Sequence, residues 1–125
     1  MRYIGFLTVA LALSGCADVM TSPARLADQA DEISKVTPTD QIVLTSADTI
    51  NDGNFTQIAA IEKSIGKATI FGKTPTVADG ELKLRIEGAE LGADAVINKR
   101  ISNVGVCALS WGCRTVSGTA VKYSN

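Results

Sequence analysis

The chain opens on an apolar block. Ile4, Phe6, Leu7, Val9, Ala10, Leu11 and Ala12 follow Met1-Arg2-Tyr3, and the block has ended by Gly15. A membrane-spanning helix needs about 20 apolar residues, so this shorter run predicts the core of a secretory signal peptide, with Arg2 as its positive flank. The pattern then changes. Leu26, Ala30 and Ile33 recur at i, i+4 and i+7 behind Ser22-Pro23, a pair suited to a helix cap and first turn. A short amphipathic helix is expected over residues 23–35. The rest of 17–40, with Thr37, Pro38 and Thr39, reads as a tether.

Beyond residue 40 the spacing becomes that of a folded domain. Ile42, Val43 and Leu44 mark a strand over residues 41–46. Asn51-Asp52-Gly53-Asn54 is a turn, since Gly and Asn accept a positive φ cheaply. A second strand is expected over 55–65, with Phe55, Ala59, Ile61 and Ile65 on one face and Ile58 and Ala60 on the other. Residues 68–71 could add an edge strand. Thr76 and Asp79 have the spacing of a reciprocal helix cap behind Pro75. That helix should run to about Leu91 and stop at Gly92. Residues 93–102 and 114–123 give the third and fourth strands. In the last of these Gly118 and Ala120 leave one face low, where a helix could approach closely. The order is β-β-α-β-β. The predicted fold is α+β, one main helix on a mostly antiparallel four-stranded sheet, with domain limits of 1–15 for the signal peptide, 16–40 for the tether and 41–125 for the folded unit.

Turning the main helix by 100° per residue yields two apolar stripes. Ala78, Leu82, Ile86 and Ala89 form one; Val77, Leu84, Gly88 and Leu91 form the other. Lys83, Glu87 and Glu90 fill one polar gap, Glu81 and Arg85 the other. A helix lying on one sheet needs a single stripe. The second predicts another cover: the tether helix through Leu26 and Ile33, a second copy of the chain, or a partner. The alternative is a helix sunk deep between sheet and loops. Leu84 and Leu91 are the candidate partner-binding residues of that stripe.

Composition narrows the chemistry. The 125 residues carry 12 basic and 13 acidic side chains and no histidine. The length suits one domain. The near-neutral balance gives no support for nucleic-acid binding, and the missing histidine removes the commonest general base and metal ligand. Three short motifs are incomplete. Gly72-Lys73-Thr74 lacks the P-loop glycine, which would fall at Lys67. Ser64-Ile65-Gly66-Lys67 lacks the partner motifs of β-lactamases. The calcium-loop start at Asp48 places Ile50 and Ala59 where ligands belong. Glu87, Glu90 and Asp94 beside Lys83 read as a solvated face rather than a carboxylate dyad. No catalytic set, metal site or cofactor is expected.

The apolar block ends in Leu13-Ser14-Gly15-Cys16. These four positions resemble the bacterial lipobox. The resemblance implies cleavage before Cys16, a diacylglyceryl group on its sulfur and anchoring in a membrane, since two acyl chains hold where one does not. Ala17, rather than Asp, directly after the cysteine implies the outer membrane facing the periplasm in a Gram-negative host. The other two cysteines, Cys107 and Cys113, then lie in a compartment that tolerates disulfides. A structural bridge between them is the leading reading; unpaired thiols or a redox or metal pair are the alternatives, and metal sites prefer more ligands at tighter spacing. Trp111 lies between them, either tucked against the ring or offered as a binding tip.

Leu91-Gly92-Ala93-Asp94-Ala95-Val96-Ile97 and Ser117-Gly118-Thr119-Ala120-Val121 resemble signatures of the YbjQ-like proteins, a family named for heavy-metal binding, and of related envelope lipoproteins. The layout of lipobox, tether and small α+β domain is distantly similar to the Rcs phosphorelay outer-membrane sensor lipoprotein. That protein has four domain cysteines where this chain has two, and a longer proline-rich tether. The soft-ligand set of a metal site is lacking here. The lipobox, the absent catalytic set and the second apolar stripe together point to a non-enzymatic lipoprotein of the cell envelope, membrane-held through Cys16, that binds or senses an envelope partner or forms a homo-oligomer. A structural lipoprotein without a specific ligand is the alternative.

Overall fold

The computed structural model describes residues 21–35, 37–67, 73–107 and 110–124, without the side chains of 106, 107, 110 and 111. The expected signal peptide, Cys16 and the possible strand at 68–71 lie outside the described residues. The elements are α1 (Pro23–Ser34), β1 (Val43–Leu44), β2 (Phe55–Gly66), α2 (Val77–Glu90), β3 (Ala95–Ile101), β4 (Gly105–Cys107) and β5 (Ser110–Tyr123). The sheet order is β1-β3-β5-β2, with β4 paired to β5. β1 runs parallel to β3, while β2, β3 and β4 all run antiparallel to β5. The α+β architecture with one main helix on the sheet is as expected. The fourth predicted strand starts earlier and, with β4, forms a hairpin.

α2 begins and ends where its sequence requires. The Asp79 N–H donates to Thr76 Oγ1 at 3.2 Å, and the Thr76 N–H donates to Asp79 Oδ2 at 2.8 Å, so two orphan donors of the first turn are satisfied reciprocally. Gly92 follows the helix at φ 69°, a left-handed conformation that costs glycine little.

The core lies between α2 and the sheet. Ile42, Ile61, Leu84, Ala89, Ala93, Val96, Val116 and Ala120 form one buried cluster there, joined by Ile33, Leu44 and Ile101. Small residues bring helix and sheet together. A Cβ on Gly80 would stand 3.0 Å from side-chain atoms of Ile101 and Val116; one on Gly88 would stand 3.2 Å from Val96. At Gly118 a Cβ would fall 2.5 Å from Val96 Cγ1 and 3.9 Å from Leu84 Cδ2. The low face expected around Gly118 is therefore where Leu84 sits. A second, smaller cluster of Ala95, Ile97 and Val121, with Ile50 and Phe55, covers the opposite side.

The face assignment of β2 needs correction. Phe55 and Ile61 were expected together, but they join different clusters. A register shift between Gln57 and Ala59 inserts Ile58 as an extra residue against β5, and one extra residue reverses the alternation. Ile58 is left 40% exposed.

The two stripes of α2 do not hold as drawn either. Leu84 and Ala89, assigned to different stripes, share one core cluster. Lys83, Ile86 and Gly88 are also buried, while Val77 and Leu91 at the helix ends are exposed. The buried arc is wide because α2 has two covers, the sheet and α1. The stretch expected as a tether therefore folds onto the domain: Leu26 is 1% exposed and Ile33 packs on the main core.

Candidate functional site

Two places bring polar side chains together around α1. The first is a clasp at its start. Thr21 pairs with Ile65 in an isolated bridge, and the Gly66 N–H donates to the Thr21 carbonyl at 3.1 Å. The Thr21 hydroxyl accepts from Lys83 Nζ at 3.1 Å. The same ammonium lies 2.9 Å from Glu87 Oε1, one helical turn on, with Lys83 and Glu87 side chains 8% and 16% exposed. A buried charge is stable only when paired and hydrogen-bonded, and both conditions are met here. Lys83 was expected on a solvated face. Its burial follows from the position of α1, which the helical spacing of α2 by itself does not reveal. The Lys83–Glu87 i, i+4 spacing was the available signal.

The second place is a groove of about 310 Å³ lined by Arg25, Asp28, Gln29, Glu32, Ile33 and Glu90. Regular amphipathic spacing on α1 creates it: Leu26 faces inward, while Arg25, Asp28 and Glu32 remain along the rim. Gln29 Oε1 is buried without a hydrogen-bond partner among the described residues. Glu90 holds its proton more tightly than an ordinary glutamate. Partial burial is the main cause and the neighbouring Glu87 carboxylate adds to it, against the pull of Lys83 and Lys63. Glu32 is already paired with Lys35 at 2.9 Å, so Asp28 and Glu90 beside Arg25, with the Gln29 oxygen, are what the groove offers to a hydrogen-bond-donating group. No nucleophile–base pair lines the groove, and no group of three or more metal-ligating side chains occurs among the described residues.

Of the residues singled out from the sequence, Leu84 is 0% exposed and fills the core, so it offers no surface to a partner. Leu91 is 42% exposed, so the structure separates the two leucines. Cys113 is buried and disulfide-bonded. The side chains of Cys107 and Trp111 lie outside the described residues. The backbone places Cys107 opposite Ser110, and Gly105 opposite Cys113, in the β4–β5 hairpin. The groove was not expected, because it exists only once α1 has docked on α2.

No family model matches the chain, and no curated protein matches it. A solved structure, a protein of unknown function belonging to the DUF74 family from Pediococcus pentosaceus, is similar to it at a TM-score of 0.44 and 15% identity, over 66% of this chain and 98% of that one.

Proposed function

We propose that this chain is a non-enzymatic lipoprotein of the cell envelope, anchored through Cys16 in the outer membrane facing the periplasm, whose domain binds another envelope component. The observation that carries the reading is the sequence itself. A short apolar block ends in Leu-Ser-Gly-Cys, the arrangement that signal cleavage and thioether formation require. No described helix is long and apolar enough to cross a membrane. The groove beside Gln29 and Glu90 is the place for the partner, because it combines a carboxylate cluster with a buried acceptor that a donor from outside could satisfy.

Two measurements test these halves separately. Cys16→Ser removes the sulfur that carries the lipid. The variant should leave the membrane fraction or accumulate as uncleaved precursor; undiminished membrane fractionation of mature Cys16→Ser protein would contradict the anchoring. For the partner, a photo-crosslinking residue at Glu32 should give one discrete adduct in cells, while the same residue at Thr119, across the sheet, should give none. Identical adduct patterns at the two sites would favour a structural lipoprotein with no specific ligand.

A further inference from the structure

We propose that the groove between α1 and α2 takes a zwitterionic α-amino acid group, with its carboxylate on Arg25 and its ammonium between Asp28 and Glu90. The inference rests on the reading of this groove as the place for the partner, and it names the chemical class that fits there.

The groove offers both signs of charge, and the fold itself uses neither. Arg25 and Asp28 stand three residues apart on α1, about 4.5 Å along the helix axis. That spacing ordinarily brings opposite charges together. Yet Arg25, Asp28 and Glu90 make no ion pair or side-chain hydrogen bond among the described residues. The charges around them are engaged. Glu32 holds Lys35 at 2.9 Å, and Glu87 holds Lys83 at 2.9 Å. Glu90 keeps its proton more tightly than an ordinary glutamate even with Lys83 and Lys63 pulling the other way, so a further cation beside it would favour its charged form.

A ligand with a single sign of charge fits poorly. A plain cation would meet the Arg25 guanidinium, and a plain anion would meet two carboxylates. An α-amino acid carries both charges on one carbon, and the order of residues along α1 suits it. Arg25 comes first, with the fork of donors that grips a carboxylate through two bonds. Asp28 and Gln29 follow, and Glu90 lines the same groove from α2. Gln29 Oε1 is buried without a donor. With Asp28 and Glu90 it makes three acceptors, the number of N–H donors on an ammonium. Ile33, two turns beyond Arg25, supplies an apolar surface for a short side chain. A volume of about 310 Å³ suits a small molecule or the end of a peptide.

Isothermal titration calorimetry on the full mature chain in detergent tests the assignment. The probes are alanine, a tripeptide ending in diaminopimelate that is joined through one centre only, ethylamine and propionate. At least one of the two zwitterions should bind. Arg25→Gln and Glu90→Gln should each weaken it about tenfold or more, while Glu62→Gln, on the exposed side of β2, should leave it unchanged. Circular dichroism confirms that each variant is folded. Binding of alanine supports a free amino acid as the ligand; binding of the tripeptide alone supports a peptide-borne one. Ethylamine or propionate binding as tightly as the zwitterion, equal affinity in the Arg25 and Glu90 variants, or no binding of either zwitterion overturns the assignment. If neither zwitterion binds while the crosslinker at Glu32 still gives its discrete adduct, the groove remains the partner's place and only the ligand class falls. If the adduct is missing as well, both readings fall.

Discussion

Lys83 is the residue whose role most depends on its surroundings. Its ammonium is shared by Thr21 Oγ1 and Glu87 Oε1 in a nearly closed pocket. Removing one member of such a pair strands the other, which costs about 3 kcal/mol, whereas replacing both with apolar groups of similar size is close to neutral. Lys83→Met should therefore lower unfolding stability by about that much in urea titration, and adding Glu87→Leu should restore most of it. Gly118→Ala tests close packing. Its new methyl would fall 2.5 Å from Val96 Cγ1 and 3.1 Å from the Ile97 carbonyl oxygen, and the overpacking should cost about 1–3 kcal/mol. Glu90 supplies a pH signature. Burial and Glu87 raise its folded-state pKa above the ordinary 4.5, so the stability it contributes is full below that value and is lost as pH rises through the raised one. Glu90→Gln should accordingly be more stable than the parent at neutral pH. The difference should vanish well below 4.5 in thermal melts across pH.

Elements were legible where local chemistry decides them. The Thr76–Asp79 cap, the Gly92 stop and the Asn51–Gly53 turn, with its positive φ values, are each set by a few neighbouring residues. Face assignments were less so. The bulge at Ile58 leaves no mark in the alternation of β2, and it alone separates Phe55 from Ile61. Asn98, at φ 55°, interrupts β3 in the same way: the β3–β5 register shifts between Ile97 and Arg100, which lets Ile101 join Val96 in the main core. The helical spacing of α1 was visible as Leu26, Ala30 and Ile33, but its docking was not, because polar residues dominate the segment and the matching surface on α2 includes a buried lysine. The docking has a measurable consequence. Leu26→Ala should destabilise the whole domain by about 2–5 kcal/mol, seen as a lower urea midpoint. A tether hanging free would leave the midpoint unchanged.

At the scale of the whole molecule the chain is polarised. One end of the sheet carries the β4–β5 hairpin, with Lys67 and Arg114 beside it. The carboxylate-lined groove of Asp28, Glu32 and Glu90 lies along α1 toward the other. The sequence indicated the anchor but not the groove: a lipobox is four consecutive residues, whereas the groove joins side chains of two helices some sixty residues apart. The reading depends first on the chemistry of Cys16, and intact mass spectrometry of the chain extracted from cell membranes addresses it directly. The account predicts a mature protein beginning at Cys16 and carrying a diacylglyceryl group, with or without a further acyl chain on the new N-terminus. A chain that retains residues 1–15, or begins at Cys16 with a free thiol, would contradict it.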